Sequence, residues 1–452
     1  MEAHPPGKVN RRTFLAGTAA AAGGLLAAGV VEQAEAAGRL TSPVRDQVEL
    51  TFWSHQFTPR ETLDKIHIKE FERQNPGVKV NYTTYSEPGY ETKLQTAMAS
   101  GTGPDLFNLY TGVADPLVQG KTVAPVDPQA MGYASLAALK KQYLPGFLDG
   151  FTWNNTLYAL PTEVSNYALY INKLHFIEAG LNPAKDYPRT WDDIVALSKK
   201  LLIVKNGKVL RRGFEFEYAT ANDWTGTEWD LAGMAYQLGG TVFNHDQTAS
   251  LVNSPAWVRS LKVYYDFVHT YKLGYPAMPV CSVDFTNGKQ GNVSMLLSGY
   301  WYAPSVRDTN KTVYKNLMTV QFPRFKDAKH SNGALMYAYA HFVNASSSAT
   351  KQRLAWKLIE TLDSHPAEYL AGAGLLQPRT SLLSSATYRN DPLIKPFLED
   401  ARTTPYRPSS THLSEVQDAI RRAIQRSTQT AVPPQQSLDM AKADIDKILK
   451  GV

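Results

Sequence analysis

The chain has 452 residues, which is long for one compact domain and enough for two lobes with substantial cores. A single cysteine, Cys281, excludes an internal disulfide framework, no HExxH or paired CxxC pattern offers a zinc site, and 11% aromatic content with 24 Tyr and 8 Trp excludes a disordered chain. The net charge of +6 has no dense Lys/Arg stripe behind it, because Arg211-Arg212 and Arg421-Arg422 are isolated pairs, so nucleic-acid binding has little support.

The N-terminus reads as a targeting segment. Thr13 through Val31 carry no charge and are mostly Ala, Gly, Leu and Val; Arg11-Arg12-Thr13-Phe14-Leu15 opens this run and Ala34-Glu35-Ala36 follows it. That order of basic, apolar and small-x-small regions predicts an export signal over 1–36 cut near Ala36, with 37–47 as a linker. The adjacent arginines resemble the twin-arginine signal, which predicts passage through that export machinery. The uncut stretch could just span a bilayer, but its Ala and Gly make it a poor permanent anchor, and no cysteine stands at the cut to carry a lipid.

The body opens with alternating strands and helices. Val48, Leu50 and Phe52 alternate with polar residues as a half-buried strand ending at Trp53-Ser54-His55-Gln56. Leu63, Ile66 and Phe71 fit a helix face, stopped by Asn75-Pro76-Gly77, and Val78, Val80 and Tyr82 form a second strand. Tyr90, Leu94, Ala97 and Met98 mark a second helix, closed by Gly101-Thr102-Gly103-Pro104 before a third strand at 105–110. This βαβαβ order predicts a largely parallel sheet, whose ligands sit beyond the carboxyl ends of strands, at 53–56 and 108–112. The Gly101-Thr102-Gly103 turn follows a helix and precedes a strand, the reverse of a dinucleotide fingerprint, so it is no phosphate loop. Farther on, Thr190-Trp191-Asp192-Asp193 reads as a capping box, 231–238 as an apolar helix, and the Leu354 and Leu438 regions as amphipathic helices, with Ser346-Ser347-Ser348 a loop before the first of these two.

The order of landmarks resembles the extracellular solute-binding proteins of the maltose-binding type, which serve ABC importers. The stretches that carry it are Phe52-Trp53, Phe71 to Val80, Ser100 to Phe107, Tyr158-Ala159-Leu160-Pro161 through Lys173, Phe285 through Trp301, and Gly374 to Arg379. The resemblance implies a two-lobed α/β fold of the type II periplasmic-binding class, each lobe a mainly parallel sheet flanked by helices and joined by a hinge of crossing segments. It places lobe 1 at 48–167 and 336–380 and lobe 2 at 168–335 and 381–452. It implies no cofactor and a monomer that captures a solute between the lobes and hands it to permease subunits.

Sugars offer apolar C–H faces and rings of hydroxyls, so a carbohydrate site wants flat aromatics and bidentate polar groups. By position in the resemblance, Trp301 with Tyr300 is the expected stacking segment, and Trp53 is either a ligand ring or a core ring. His55 and Gln56 on the first strand-end loop, and Asn108, Tyr110 and Thr111 at the end of the third strand, are candidate hydrogen-bonding groups. Glu163 and Ser165 stand at a crossing, where hinge bonding competes with ligand binding. Trp224 and Glu228 precede the apolar helix, with Trp229 a candidate packing residue. Gly333 and Ala334 resemble a backbone stretch close to ligand, while Arg379 and Tyr406 could reach the cleft from the last crossing and the tail. The rival reading is a secreted polysaccharide hydrolase or lyase using Glu215 with Glu217 or Asp223 with Glu228, but carboxylates two apart on a strand share a face for trivial reasons. A binder of ferric ion, polyamine or a sugar or polyol phosphate also stays open.

Overall fold

The computed structural model describes residues 47–451 except 88, 219–225, 331, 332 and 334. The export segment, most of the linker, Trp224 and Ala334 therefore lie outside the described residues.

The strands in chain order are β1 (Val48–His55), β2 (Val78–Tyr85), β3 (Leu106–Tyr110), β4 (Thr152–Trp153), β5 (Thr156–Leu157), β6 (Ala159–Ser165), β7 (Tyr167–Asn172), β8 (Ile203–Lys205), β9 (Lys208–Phe214), β10 (Val293–Gly299), β11 (Leu317–Val320) and β12 (Tyr337–Val343). Two five-stranded sheets organise them, in the orders β2-β1-β3-β12-β6 and β11-β7-β10-β9-β8, while β4 and β5 form a separate hairpin. β1 pairs parallel with β2 and β3, as the βαβαβ order predicts, and β12 returns antiparallel between β3 and β6. In the second sheet β10 runs parallel to β9 and antiparallel to β7. The fold is the expected two-lobed α/β architecture, but its sheets are mixed where mainly parallel ones were expected: the first has two antiparallel pairings and the second three, β9 with β10 being the parallel pair, because β7 and β8 pair with strands running the opposite way.

β1 alternates as its sequence does, burying Leu50, Phe52 and Ser54. β3, β7 and β10 are buried at every residue because elements cover both faces, which is why they read as continuous runs without alternation. The chain passes from the first sheet to the second across Asn166, whose Nδ2 donates to Phe397 O at 2.9 Å, and returns between β11 and β12. The segment 405–407 then runs beside Met336, which donates its N–H to Pro405 O at 3.0 Å and accepts from Arg407 N at 2.7 Å.

The helix α1 (Thr58–Gln74) corrects the sequence reading. Ile66, expected on its apolar face, is 54% exposed, and the buried stripe is Arg60, Asp64, His67, Ile68 and Phe71. Phe71 is buried and Leu63 partly buried as expected, but three residues of the stripe are polar, so a search for apolar periodicity misses most of it. Helix α2 (Tyr90–Ala99) ends at the expected Gly101 turn, where φ is +73°. The capping box forms as read: Thr190 Oγ1 accepts from Asp193 N at 3.2 Å, and Asp193 Oδ2 accepts from Thr190 N at 2.9 Å.

The helix Thr227–Gln237 begins earlier than the apolar pattern indicates, which places Glu228 and Trp229 in its first turn. Gly233 on this helix faces Gly333, and a Cβ at 233 would stand 1.7 Å from Gly333 O. Gly233→Ala is expected to lower the unfolding free energy by about 1–3 kcal/mol through overpacking. The midpoint of denaturant unfolding measures it; an unchanged midpoint would mean the two backbones are not in contact.

Candidate functional site

One cavity of about 290 Å³ draws its walls from both sheets and from the helix Leu413–Gln429 near the C-terminus. The β1 end supplies His55, Gln56 and Phe57; the segment leading into α2 supplies Glu87 and Glu91; and β3 supplies Tyr110. The crossing strands bring Glu163, Tyr167, Tyr337 and Tyr339. The helix Thr227–Gln237 and the residue before it supply Gly226, Glu228 and Trp229, the turn after β10 supplies Trp301, and the tail supplies Arg407, Gln417 and Arg421.

Seven of the lining residues are aromatic: Phe57, Tyr110, Tyr167, Trp229, Trp301, Tyr337 and Tyr339. Trp301 Nε1 donates to Tyr337 OH at 2.7 Å, which fixes the indole against the crossing strand. Tyr337 and Tyr339 sit two apart on β12 and so share its face. The Arg407 guanidinium lies 4.4 Å from the Tyr337 ring centroid and 5.3 Å from that of Trp229, a charge held on aromatic faces.

Arg60 holds the floor beneath His55. This arginine is 2% exposed; its Nη1 donates to Asn108 Oδ1 at 3.1 Å, its Nη2 donates to Ser54 Oγ at 2.7 Å and to His55 O at 2.5 Å, and its Nε stands 3.6 Å from Asp64. Asn108 Nδ2 donates to Thr162 Oγ1 at 2.9 Å, so Asn108 Oδ1 is an acceptor and His55 Nδ1, 3.0 Å away, carries the proton toward it. Burial and the neighbouring Arg60 charge hold the His55 pKa well below its ordinary value, leaving a neutral ring that lies 4.2 Å from Tyr339.

The carboxylates of the cavity resist ionisation. Burial pushes Glu163 up to about 7 against the opposing Arg60 charge, and burial with the Glu87 charge pushes Glu91 up to about 8. Burial also raises Glu87 and Glu228, the latter opposed by Arg421 and by Gln417, whose Nε2 donates to Glu228 Oε1 at 3.0 Å. A glutamate titrates near 4.3 in the unfolded chain. The folded values are higher, so the stability these groups contribute is complete below the unfolded value and is lost as pH rises through about 7 for Glu163 and about 8 for Glu91. Unfolding free energies of the ligand-free protein measured from about pH 5 to 8 should fall with this contribution, and Glu91→Gln should reduce the slope. A slope unchanged in that variant would show Glu91 to be ionised throughout.

Of the expected site residues, His55, Gln56, Tyr110, Glu163, Glu228 and Trp301 line the cavity. Others are placed elsewhere, for physical reasons. Asn108 is fully buried and spends its amide on Arg60, His55 and Thr162, and buried Thr111 donates to Ala338 O at 3.2 Å. Trp53 packs edge-on to Tyr85 at 5.0 Å, on the other face of β1 from Phe52. Ser165 and Tyr300 line a separate small pocket beside Phe397, and Tyr300 OH donates to Asp391. Gly333 packs against Gly233 and Gln237. Arg379 is consumed by Glu360 at 2.8 Å and lies over the Tyr143 ring, and Tyr406 donates to Phe147 O at 3.0 Å.

The sequence reading missed Glu87, Glu91, Tyr167, Tyr337, Tyr339, Arg407, Gln417 and Arg421, and took Trp229 for a packing residue. The alternation Tyr337-Ala338-Tyr339-Ala340 and the four-residue spacing of Glu87 and Glu91 were available signals. Of the two rival pairs, Glu215 with Glu217 lies outside the cavity, Glu215 being buried in an ion pair with Arg212 at 3.1 Å and accepting from Tyr275 N at 3.1 Å; of the other pair, Glu228 lines the cavity and Asp223 lies outside the described residues.

The sequence profile of the bacterial extracellular solute-binding protein family matches residues 56–369. A multiple sugar-binding protein of Streptococcus mutans is 31% identical over 170 residues, 38% of this chain, so the chain spans little more than a third, 37%, of that relative. A maltotriose-binding protein of Pyrococcus abyssi is 20% identical over 410 residues, covering 89% of this chain and 80% of the relative. Among solved structures, an ABC transporter solute-binding protein of Thermotoga lettingae bound with α-D-tagatose superposes with a TM-score of 0.76 at 24% identity, over 89% of this chain and all of that one. With a profile match over most of its length and this fold, the chain belongs to the bacterial extracellular solute-binding protein family.

Proposed function

We propose that the protein is the extracytoplasmic substrate-binding component of an ABC importer and captures a mono- or oligosaccharide in the cavity between its lobes. The observation that carries this is the wall of seven aromatic residues interleaved with Glu, Gln, His and Arg side chains. Aromatic faces suit the C–H faces of a pyranose, and the polar groups suit its hydroxyls. Glutamates whose ionisation is opposed by burial, such as Glu91 and Glu163, donate as well as accept when protonated, which matches a neutral hydroxylated solute better than a metal ion. The names of the S. mutans and P. abyssi relatives, both sugar-binding proteins, agree with this reading.

In this reading the two sheets are the lobes, with limits at 48–167 and 336–380 against 168–335 and 381–452. The crossings at Asn166 and before Met336 serve as the hinge. Sugar stabilises the closed form by its greater affinity for that form, which both lobes must line. The closed protein then delivers its solute to membrane permease subunits. The leader directs export by the twin-arginine route and the released protein acts as a monomer; among the described residues no helix is long and apolar enough to cross a membrane.

Because Trp229 and Trp301 both line the cavity, binding should alter tryptophan emission. Titration with a panel of mono- and oligosaccharides is expected to give a saturable change with one sugar class. Hydrolysis of the sugar during the titration, or saturation only by phosphates, polyamines or ferric ion, would overturn the reading.

A further inference from the structure

The buried stripe of α1 ends in a second cluster, away from the cavity. His67 and Glu70 stand three apart on α1, and His365 and Glu368 stand three apart at the start of the helix Pro366–Ala373, so two His-x-x-Glu pairs face each other from two helices. His67 Nδ1 and His365 Nε2 lie 3.6 and 3.7 Å from the same oxygen, Glu70 Oε2. The opposite ring edges face the other carboxylate: His67 Nε2 is 3.3 Å from Glu368 Oε2, and His365 Nδ1 is 3.4 Å from Glu368 Oε1.

These contacts exceed hydrogen-bond length, and the buried His67 ring has no hydrogen-bond partner at either nitrogen. Such an orphaned ring is costly unless something satisfies it. Bonds of about 2.0–2.2 Å from nitrogen and carboxylate oxygen to zinc place neighbouring donors of a tetrahedron about 3.3–3.6 Å apart, close to the spacing seen here. His67, Glu70 and His365 each present one donor atom with all three within 4.8 Å of one another.

We propose that His67, His365 and Glu70 bind a zinc ion, with Glu368 as the positioning residue that accepts from the far nitrogens of both rings. A carboxylate behind a metal-bound imidazole is the usual device for fixing its tautomer and raising its basicity. Glu70 and His365 also line an open cavity with Gln129, Lys357 and Ser364, where a water can complete the coordination. The rings stack with centroids 3.8 Å apart, and a metal lies in the plane of each imidazole that binds it, so His365, 26% exposed, turns its ring as the ion enters. The ion cross-links α1 to the second helix after β12, Pro366–Ala373, and it is independent of the sugar reading.

The test is calorimetric titration of zinc chloride into untagged, chelator-treated protein. The expected result is one zinc per chain, with affinity at least tenfold weaker in His365→Ala and in Glu70→Gln, 10- to 100-fold weaker in Glu368→Gln, and an unfolding midpoint raised by zinc less in each variant than in the parent. His67→Ala is avoided because it opens a buried site; the three chosen residues are partly exposed, and an unaltered zinc-free midpoint verifies their folding. Cobalt(II) in place of zinc should give the visible absorption of a tetrahedral site. Absence of stoichiometric binding, or equal affinity in His365→Ala and Glu70→Gln, would overturn the assignment.

Discussion

Arg60→Ala is expected to lower the unfolding free energy by about 3–5 kcal/mol, the cost of leaving a buried ion without its partner. Arg60 and Asp64 are 2% and 1% exposed, and the guanidinium bonds Ser54, His55 and Asn108 as well as facing Asp64. Asp64 keeps the hydroxyls of Tyr82 and Tyr369, each at 2.7 Å, but these do not neutralise its charge. The double variant Arg60→Met with Asp64→Asn should therefore be more stable than Arg60→Ala alone. Denaturant unfolding measures both; a cost under about 1 kcal/mol for Arg60→Ala would mean that water reaches the pair. The same variant frees His55 from its anchor and should weaken sugar binding.

Trp301→Ala is expected to weaken sugar affinity by about 10- to 100-fold, equivalent to about 1.4–2.7 kcal/mol. The indole lines the cavity and is braced by Tyr337 at 2.7 Å, so its face is pre-oriented and little ordering accompanies binding. Trp301→Phe keeps a ring but loses that brace, and its loss should be smaller. Calorimetric dissociation constants for the two variants distinguish stacking from general damage. Equal losses would point to the brace, and no loss in Trp301→Ala would remove the tryptophan from the site.

The fold was legible because its signals are local. Alternation at Val48, Leu50 and Phe52, the Asn75-Pro76-Gly77 stop and the Gly101 turn each report a backbone fact within a few residues, and the parallel pairing of β1 with β2 and β3 follows from their order, whereas the antiparallel return of β12 and the second sheet's pairings, made between strands far apart in the chain, do not. The cavity was legible where it lies at strand ends, as His55, Gln56 and Tyr110 do. Asn108 misled because it shares the third strand's end with Tyr110, yet β3 is covered on both faces and its amide serves Arg60. Arg407, Gln417 and Arg421 could not be found from spacing, since only the final return of the chain brings them beside Glu228 and Tyr337. Arg379 was chosen for charge near a crossing, but Glu360 claims it. The buried polar stripe of α1 escaped notice because a search for apolar periodicity passes over Arg60, Asp64 and His67.

Thermal unfolding of the protein against mono- and oligosaccharides, sugar phosphates, polyamines and ferric salts tests the central claim most directly, because a ligand bound only by the native state must raise the midpoint. A rise with one class of sugar, abolished or much reduced in Trp301→Ala, is the predicted result. A flat response to every sugar with a rise for a phosphate, polyamine or iron salt would contradict it.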